Sequence, residues 1–194
     1  APAGAGLEVA FRTDPAVFDG RFANIGWLQE LPRPLTKVTW DNVALVSPRT
    51  AAELGGVRTE QTASGHSTEL AELTLGGRSV VAPLWVLPGH ADGVVTVHLG
   101  YGRARAGRVG SGVGFSAYAL RTTDALWGKG GLRVRKTGGT ATVACTQDHW
   151  TMEATAHHQA AERHLVRKVT LAELARDPHA VQKLGHDPAP GLSM

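Results

Sequence analysis

The chain has 194 residues, of which 42% are hydrophobic, so it is long and apolar enough to bury a core. No run approaches the ~20 apolar residues of a membrane-spanning helix. The net charge is only +3, and charged residues of both signs are interspersed along the chain, which argues against a nucleic-acid surface. The lone Cys145 excludes an internal disulfide and an iron–sulfur cluster held by these residues alone. No signal-peptide pattern opens the sequence, and we expect it to be a fragment trimmed at both ends.

Residues 1–35 are predicted to form an extended N-terminal arm. The alternation LEVAFR at 7–12 favours a short strand, and the segment after Gly26 favours one helical turn that stops before Pro32. Bulky apolar groups follow here without a regular period. We therefore expect Trp27, Leu28 and Trp40 to be packing residues.

A short helix is predicted from Ser47 to Gly55. Ser47 is a good N-cap, Pro48 suits the first helical position, and Gly55 can close the last turn. The polar stretch that follows, RTEQTASGHST at 58–68, has no period and predicts a surface loop.

Three strands are predicted next, at 69–75, 78–87 and 94–99. The pairs Gly76-Gly77 and Pro88-Gly89 provide the two turns. In the first strand, leucines alternate with polar residues, which indicates one buried face. The run from Val80 to Leu87 is apolar at nearly every residue and predicts burial on both faces, with a bulge or edge position at Pro83.

A glycine-rich stretch covers residues 100–114, and its last part belongs to the segment GSGVGF at 110–115. It does not fit the dinucleotide fingerprint, because the third glycine is one residue too early and the flanking strand and helix are missing. Two interpretations stay open: a loop that contacts another ligand or is the remnant of such a site, and a purely structural connection. After it we expect a return to the sheet at 117–121 and a hairpin at 132–146 around Gly138-Gly139.

The region 147–194 is predicted to be a tail with two short helices. Thr170 and Glu173 have the spacing of a capping box, Asp177-Pro178 can start the second helix, and Gly185 can end it. The tail also carries a group of histidines and glutamates, which we interpret as solvated or capping residues because they lack the spacing of a zinc motif. These residues are His149, Glu153, His157, His158, Glu162 and His164.

The remaining acidic residues give no catalytic set. Asp41, Asp92, Asp124 and Asp148 all occupy turn-like positions, where an aspartate side chain usually bonds nearby backbone. Ser116 lacks the flanking pattern of a nucleophile elbow. The residues by themselves therefore indicate a mainly β domain without its own catalytic machinery.

Several stretches, taken in order, resemble the C-terminal barrel of molybdopterin oxidoreductases. The resemblance is closer still to the exported molybdopterin-oxidoreductase-like iron–sulfur subunit of alternative complex III and related quinol-oxidising membrane complexes. The stretches are WLQELPRPLTKVTWDN at 27–42, ALVSPRTAAELG at 44–55, GRSVVAPLW at 77–85, PG at 88–89, LGYGR at 99–103, GSGVGFSAYALR at 110–121, and TQDH at 146–149 with ME at 152–153.

This resemblance implies a double-psi β-barrel over 36–146, with the helix at 47–55 as a crossover helix. It also implies a loop that in molybdenum enzymes faces the pterin, formed here by Gly112, Gly114, Phe115, Ser116 and Ala117. In the iron–sulfur subunit this pterin site is generally taken to be empty, and the clusters belong to a ferredoxin-like part that would follow Met194. The fragment itself would then hold no cofactor.

The function implied is that of a non-catalytic scaffold in a respiratory electron-transfer subunit. Its partners would be the ferredoxin-like iron–sulfur part of the same subunit and membrane or cytochrome subunits, with no direct membrane insertion. The location implied is the periplasmic side of the membrane. Two alternatives stay open: the molybdopterin dinucleotide-binding lid of an active molybdopterin oxidoreductase, and a free-standing binding module.

Overall fold

The computed structural model describes residues 6–62, 65–146 and 168–183. The chain divides into two compact units, Ala1–Gln147 and Asp148–Met194. The first unit contains the whole sheet.

Eight strands of the described residues form one mixed sheet with the order β2-β8-β1-β7-β3-β6-β5-β4, and β8 also pairs with β5. This extra pairing closes six strands, β8, β1, β7, β3, β6 and β5, into a ring, while β2 and β4 lie outside it. The strands are β1 Leu7–Thr13, β2 Val38–Thr39, β3 Ala44–Val46, β4 Thr59–Thr62, β5 Gly65–Leu75, β6 Arg78–Val86, β7 Val94–Leu99 and β8 Gly128–Cys145.

The ring contains two parallel pairs. β1 runs parallel to β7, with Val9 opposite Val95, and β3 runs parallel to β6, with Ala44 opposite Leu84. The other four contacts in the ring are antiparallel. Because parallel neighbours cannot be joined by a tight turn, the chain must cross over between them. The ring leaves none of its six strands with a free edge.

The core fills the interior of the ring. β7 alternates half-buried and buried residues along its length, as a strand with one face toward a core does. The larger side chains that lie fully buried in this core are those of Val9, Phe11, Leu73, Leu84, Val95, Val97, Leu99, Leu120 and Leu132. A smaller cluster of Val38, Val43, Leu45 and Val143 lies beside it, with Trp85 and Leu87 packed against it.

Short helices connect the strands. α1 spans Gly26–Glu30, α2 Pro48–Glu53 and α3 Gly107–Gly110, and a 3-10 helix spans Ala117–Ala119. The predicted cap of α2 is confirmed, because the Ser47 side chain accepts the backbone N–H of Thr50 and Pro48 opens the helix. The predicted mainly β fold and the three central strands are also confirmed. Leu73 and Leu75 are both buried on one face of β5, as their alternation predicts.

Two predictions of turns and loops are wrong. Residues 132–146 do not form a hairpin, because β8 runs through Gly138-Gly139 and stays paired with β5. Opposite Leu70 the register shifts, since Glu69 faces Thr140 whereas Ala71 faces Lys136. The two glycines are thus accommodated in a bulge. The described residues within 58–68 are not a loop either: β4 pairs with the start of β5, Thr59 with Thr68, and the start of β5 also pairs with β8, Thr68 with Ala141.

Residues 117–121 do not return to the sheet, because Ala117–Ala119 is a 3-10 helix that brings Ala117 into the core. Burial of β6 on both faces holds only from Ala82 to Leu84, since Val81 is 48% exposed. Pro83 is neither at an edge nor at a bulge. It ends the ladder with β5 just before the ladder with β3 begins, so its missing N–H interrupts neither.

The N-terminal segment departs from the expectation of packing residues. Within the segment predicted as an arm, Leu7–Thr13 forms β1 between β7 and β8, and the helical turn expected before Pro32 is confirmed as α1. Trp27, however, is 87% exposed, so the prediction that it is a packing residue is wrong, whereas Leu28 is half-buried and Trp40 is 37% exposed.

The second unit contains α4 Leu171–Arg176 and α5 Ala180–Lys183. The predicted capping box is confirmed: Thr170 Oγ1 accepts the N–H of Glu173, and the Glu173 carboxylate accepts the N–H of Thr170. Gly185, Asp148 and the histidine and glutamate group at 149–164 lie outside the described residues, as do residues 147–153 of the resemblance.

Candidate functional site

The loop predicted to face a pterin is divided between surface and core. Gly112 and Gly114 are exposed, Phe115 and Ser116 are half-buried, and Ala117 is fully buried. Only the first part of the loop is therefore available to a ligand. Ala117 belongs to the core cluster instead.

Asn42 fixes the loop to the barrel. Its side chain is 3% exposed, and its Oδ1 accepts the backbone N–H of Phe115 at 2.9 Å. Its Nδ2 donates to the carbonyls of His98 and Phe115, both at 3.0 Å. One buried amide thus joins the end of β7 to the glycine loop and satisfies both backbone groups of Phe115.

Close approach of the chain to itself explains two of the glycines. At Gly102, whose φ is +69°, a Cβ would overlap the backbone nitrogen of Ser116. At Gly114, with φ +66°, a Cβ would overlap Asn42 Oδ1 and lie 3.0 Å from Asp41 Oδ1. Both positions need the left-handed region and the missing side chain. This geometry favours the structural interpretation of these two glycines.

Asp41 and Asn42, against which Gly114 and Phe115 pack, also line a pocket of about 170 Å³. Four of its lining side chains are ionisable: Asp14, Arg33, Asp41 and His98. Its apolar wall is formed by Pro15, Pro34, Leu35, Val38, Val43 and Leu45. A small cavity with an apolar wall and a few converging polar groups has the general form of a ligand site.

A buried ion pair lies at one side of this pocket. Arg33 Nε donates to Asp14 Oδ2 at 3.1 Å, and the side chains are only 7% and 2% exposed. Asp14 Oδ1 accepts the N–H groups of Ala16 and Val17, which holds the carboxylate in place. Such a pair is costly to break on one side, because the remaining charge would be buried without its partner.

Two polar atoms beside the pair lack hydrogen bonds. The Arg33 guanidinium lies 5.2 Å from the centre of the Tyr101 ring, and both Arg33 Nη2 and the Tyr101 hydroxyl are buried without a partner among the described residues. Buried polar groups are normally satisfied, and exceptions are concentrated where strain is stored or a water or ligand binds.

The two other ionisable groups are shifted toward their neutral forms. Burial raises the pKa of Asp41, although the N–H of Asn42 and the charge of Arg33 oppose this. Burial lowers the pKa of His98; the Asp14 carboxylate opposes the shift, and Arg33 and Arg12 add to it. The pocket can therefore orient a ligand by hydrogen bonds, and its lining residues include neither serine nor cysteine as a nucleophile.

The described residues contain no group of three or more His, Cys, Asp or Glu side chains that could hold a metal ion. Across the same part of the chain, no helix combines the length and the apolar character that crossing a membrane requires.

No protein-family model matches the chain, and no curated protein sequence matches it. The residues of the pocket were not expected from the sequence. Asp41 occupies a turn-like sequence position, and no sequence pattern marks Asp14, Arg33 or His98 as a site residue. The one local signal was the placement of Arg33 between Pro32 and Pro34, which restrict the backbone around it.

Proposed function

We propose that this chain is the double-psi β-barrel domain of a molybdopterin-oxidoreductase-like iron–sulfur subunit, in an exported, quinol-oxidising membrane complex. In that complex it acts as a scaffold and performs no catalysis. The observation that carries the proposal is the closed ring of six strands with two parallel pairs, β1 with β7 and β3 with β6. Parallel neighbours require crossover connections, and a psi-type barrel contains such connections.

The N-terminal surface supports the scaffold role. Four apolar side chains in α1 and on either side of it are well exposed: Ile25 by 43%, Trp27 by 87%, Leu31 by 51% and Leu35 by 68%. Exposed apolar groups close together in sequence favour a protein contact, and large aromatic side chains are enriched in such contacts. We propose that this surface, residues 25–35, packs against the ferredoxin-like iron–sulfur part or a cytochrome subunit.

The second proposal is the lid of an active molybdopterin oxidoreductase. One observation favours it: Gly114 and Phe115 contact Asp41 and Asn42, which line the 170 Å³ pocket together with His98. In that case the glycine loop and the pocket would bind one part of the pterin cofactor. Arg33 and Asp41 would supply the hydrogen bonds at its edge.

The scaffold proposal is tested by purifying the native assembly from membranes by a tag on this chain. We expect haem and iron–sulfur signals to co-purify with it, together with quinol-oxidising activity. Trp27→Glu should abolish co-purification, because a charge would be buried in the contact. Val81→Glu is the matched control, since Val81 is also exposed, by 48%, but lies on β6. Absence of haem and iron from the purified assembly, or equal loss with both variants, would contradict the proposal.

A further inference from the structure

A second pocket lies where the β5–β6 turn meets the end of the 3-10 helix. Its volume is about 570 Å³, and it is lined by Arg78, Tyr118, Arg121, Thr122, Thr123 and Leu126. Arg78 opens β6, and its Nη1 donates to the carbonyl of Arg121 at 3.3 Å. Two guanidinium groups from distant parts of the chain thus line one shallow, open surface pocket.

Aromatic rings hold the Arg121 guanidinium in place. Its Cζ lies 5.5 Å from the centre of the Tyr118 ring and 5.1 Å from that of Trp127. The Tyr118 hydroxyl donates to the carbonyl of Asp19 at 3.0 Å, which fixes the ring. A guanidinium held in this way loses less conformational freedom when an anion binds to it than a mobile side chain does.

The positive charge of the pocket is not neutralised by nearby acids. Among the described residues, neither Arg78 nor Arg121 forms an ion pair, and Arg121 Nε is buried without a hydrogen-bond partner. Asp124, two residues after Thr122, forms an ion pair with Lys129, and hydrogen bonds from Lys129 and Thr122 lower its pKa to about 2. Asp19 is likewise paired with Arg21. Two guanidinium groups without a counter-charge attract an anion.

We propose that this pocket binds a small organic oxyanion, with a phosphate or carboxylate group on Arg78 and Arg121 and a flat apolar portion on Tyr118 and Leu126. Arginine presents a fork of N–H groups that matches both oxyanions, so the two head groups share one chemistry. Leu126 is 50% exposed and Tyr118 is 38% exposed, which provides the apolar surface beside the charge. This inference does not depend on the function proposed above.

The test is calorimetric titration of the chain at low salt with phenyl phosphate, benzoate and the neutral benzyl alcohol. We expect saturable binding of the two anions, weaker at higher salt, and none of the alcohol. Tighter binding of phenyl phosphate would assign the head group as phosphate, and tighter binding of benzoate would assign it as carboxylate. Amide shifts of Thr122 and Thr123 on titration should place the ligand in the pocket.

Arg78→Gln and Arg121→Gln should each weaken binding of the preferred anion by about tenfold, the order expected for a lost charge-assisted hydrogen bond. Arg105→Gln is the matched control, because Arg105 is exposed and its loss changes the net charge equally. Arg78→Gln keeps the test decisive if Arg121→Gln does not fold. Absence of saturable binding, equal binding of benzyl alcohol, or an equal effect of Arg105→Gln would overturn the proposal.

Discussion

Replacing Ser47 by alanine should destabilise the first unit by more than an ordinary helix cap does. The Ser47 side chain is 1% exposed and accepts the N–H of Thr50 at 3.0 Å. Its hydroxyl also lies 2.5 Å from Asp92 Oδ1 and 3.0 Å from Thr50 Oγ1. Since a serine hydroxyl has one proton, we assign it to the shorter, carboxylate contact. Ser47 therefore joins α2 to the connection between β6 and β7.

The magnitude follows from these two contacts. Loss of an N-cap costs about 1 kcal/mol, and a hydrogen bond to a charged group contributes about 1.5 kcal/mol at the low end of its range. We use the low end because the Asp92 side chain is 55% exposed. The expected loss for Ser47→Ala is therefore about 2.5 kcal/mol in the free energy of unfolding.

Urea denaturation of the wild type, Ser47→Ala, Asp92→Ala and the double variant measures both the loss and the coupling. We expect a coupling energy of about 1.5 kcal/mol between the two positions, because each single change removes the same hydrogen bond. A loss under about 0.5 kcal/mol for Ser47→Ala would refute the cap, and additive effects would refute the contact with Asp92.

Three further predictions use the same measurement. Gly102→Ala should lower the free energy of unfolding by about 3 kcal/mol or more, because a Cβ there meets the backbone of Ser116. Gly112 has a similar φ and open space around it, so Gly112→Ala should cost only about 1 kcal/mol. Equal costs would contradict the crowding at Gly102. Phe11→Ala should cost about 3–5 kcal/mol, because Phe11 is 0% exposed, and Trp27→Ala less than about 0.5 kcal/mol, because Trp27 is 87% exposed. A large loss for Trp27→Ala would show instead that Trp27 packs within the domain. Burial lowers the pKa of His98 below its ordinary value of 6.5, so the unfolded state binds more protons than the folded state just below pH 6.5. The free energy of unfolding should therefore decline as pH falls from 6.5 to the pKa of His98 in the folded state. His98→Gln should flatten this decline, and an unchanged slope would contradict the shift.

Sequence patterns predicted the structure correctly where neighbouring residues in the chain determine it. The cap at Ser47 and the capping box at Thr170 depend on residues three positions apart, and the structure has both. The alternation of Leu73 and Leu75 identified the buried face of β5, because period two is a property of the strand itself.

The errors have a common physical origin in pairing across long sequence separations. Gly138-Gly139 has the composition of a hairpin turn, yet β5 holds both flanking segments in one strand. The polar residues 58–68 resemble a loop, yet Thr68 at the start of β5 pairs with Ala141 of β8 as well as with Thr59 of β4. In each case tertiary pairing outweighs the local preference.

The candidate site was predictable only in part for the same reason. The density of glycines predicts either unusual backbone angles or a close approach of the backbone, but not that the loop contacts Asn42, 73 residues earlier. The buried pair of Arg33 and Asp14 joins residues 19 positions apart, and His98 reaches their pocket from β7. No spacing rule connects these residues, since the ring brings them together.

The most direct test of the scaffold account is the molybdenum, pterin and iron content of the native assembly, measured per copy of this chain. The account predicts iron in whole-cluster amounts, with molybdenum and fluorescent pterin far below one per chain. Molybdenum and pterin each near one per chain would contradict it and favour the lid of a working molybdopterin oxidoreductase.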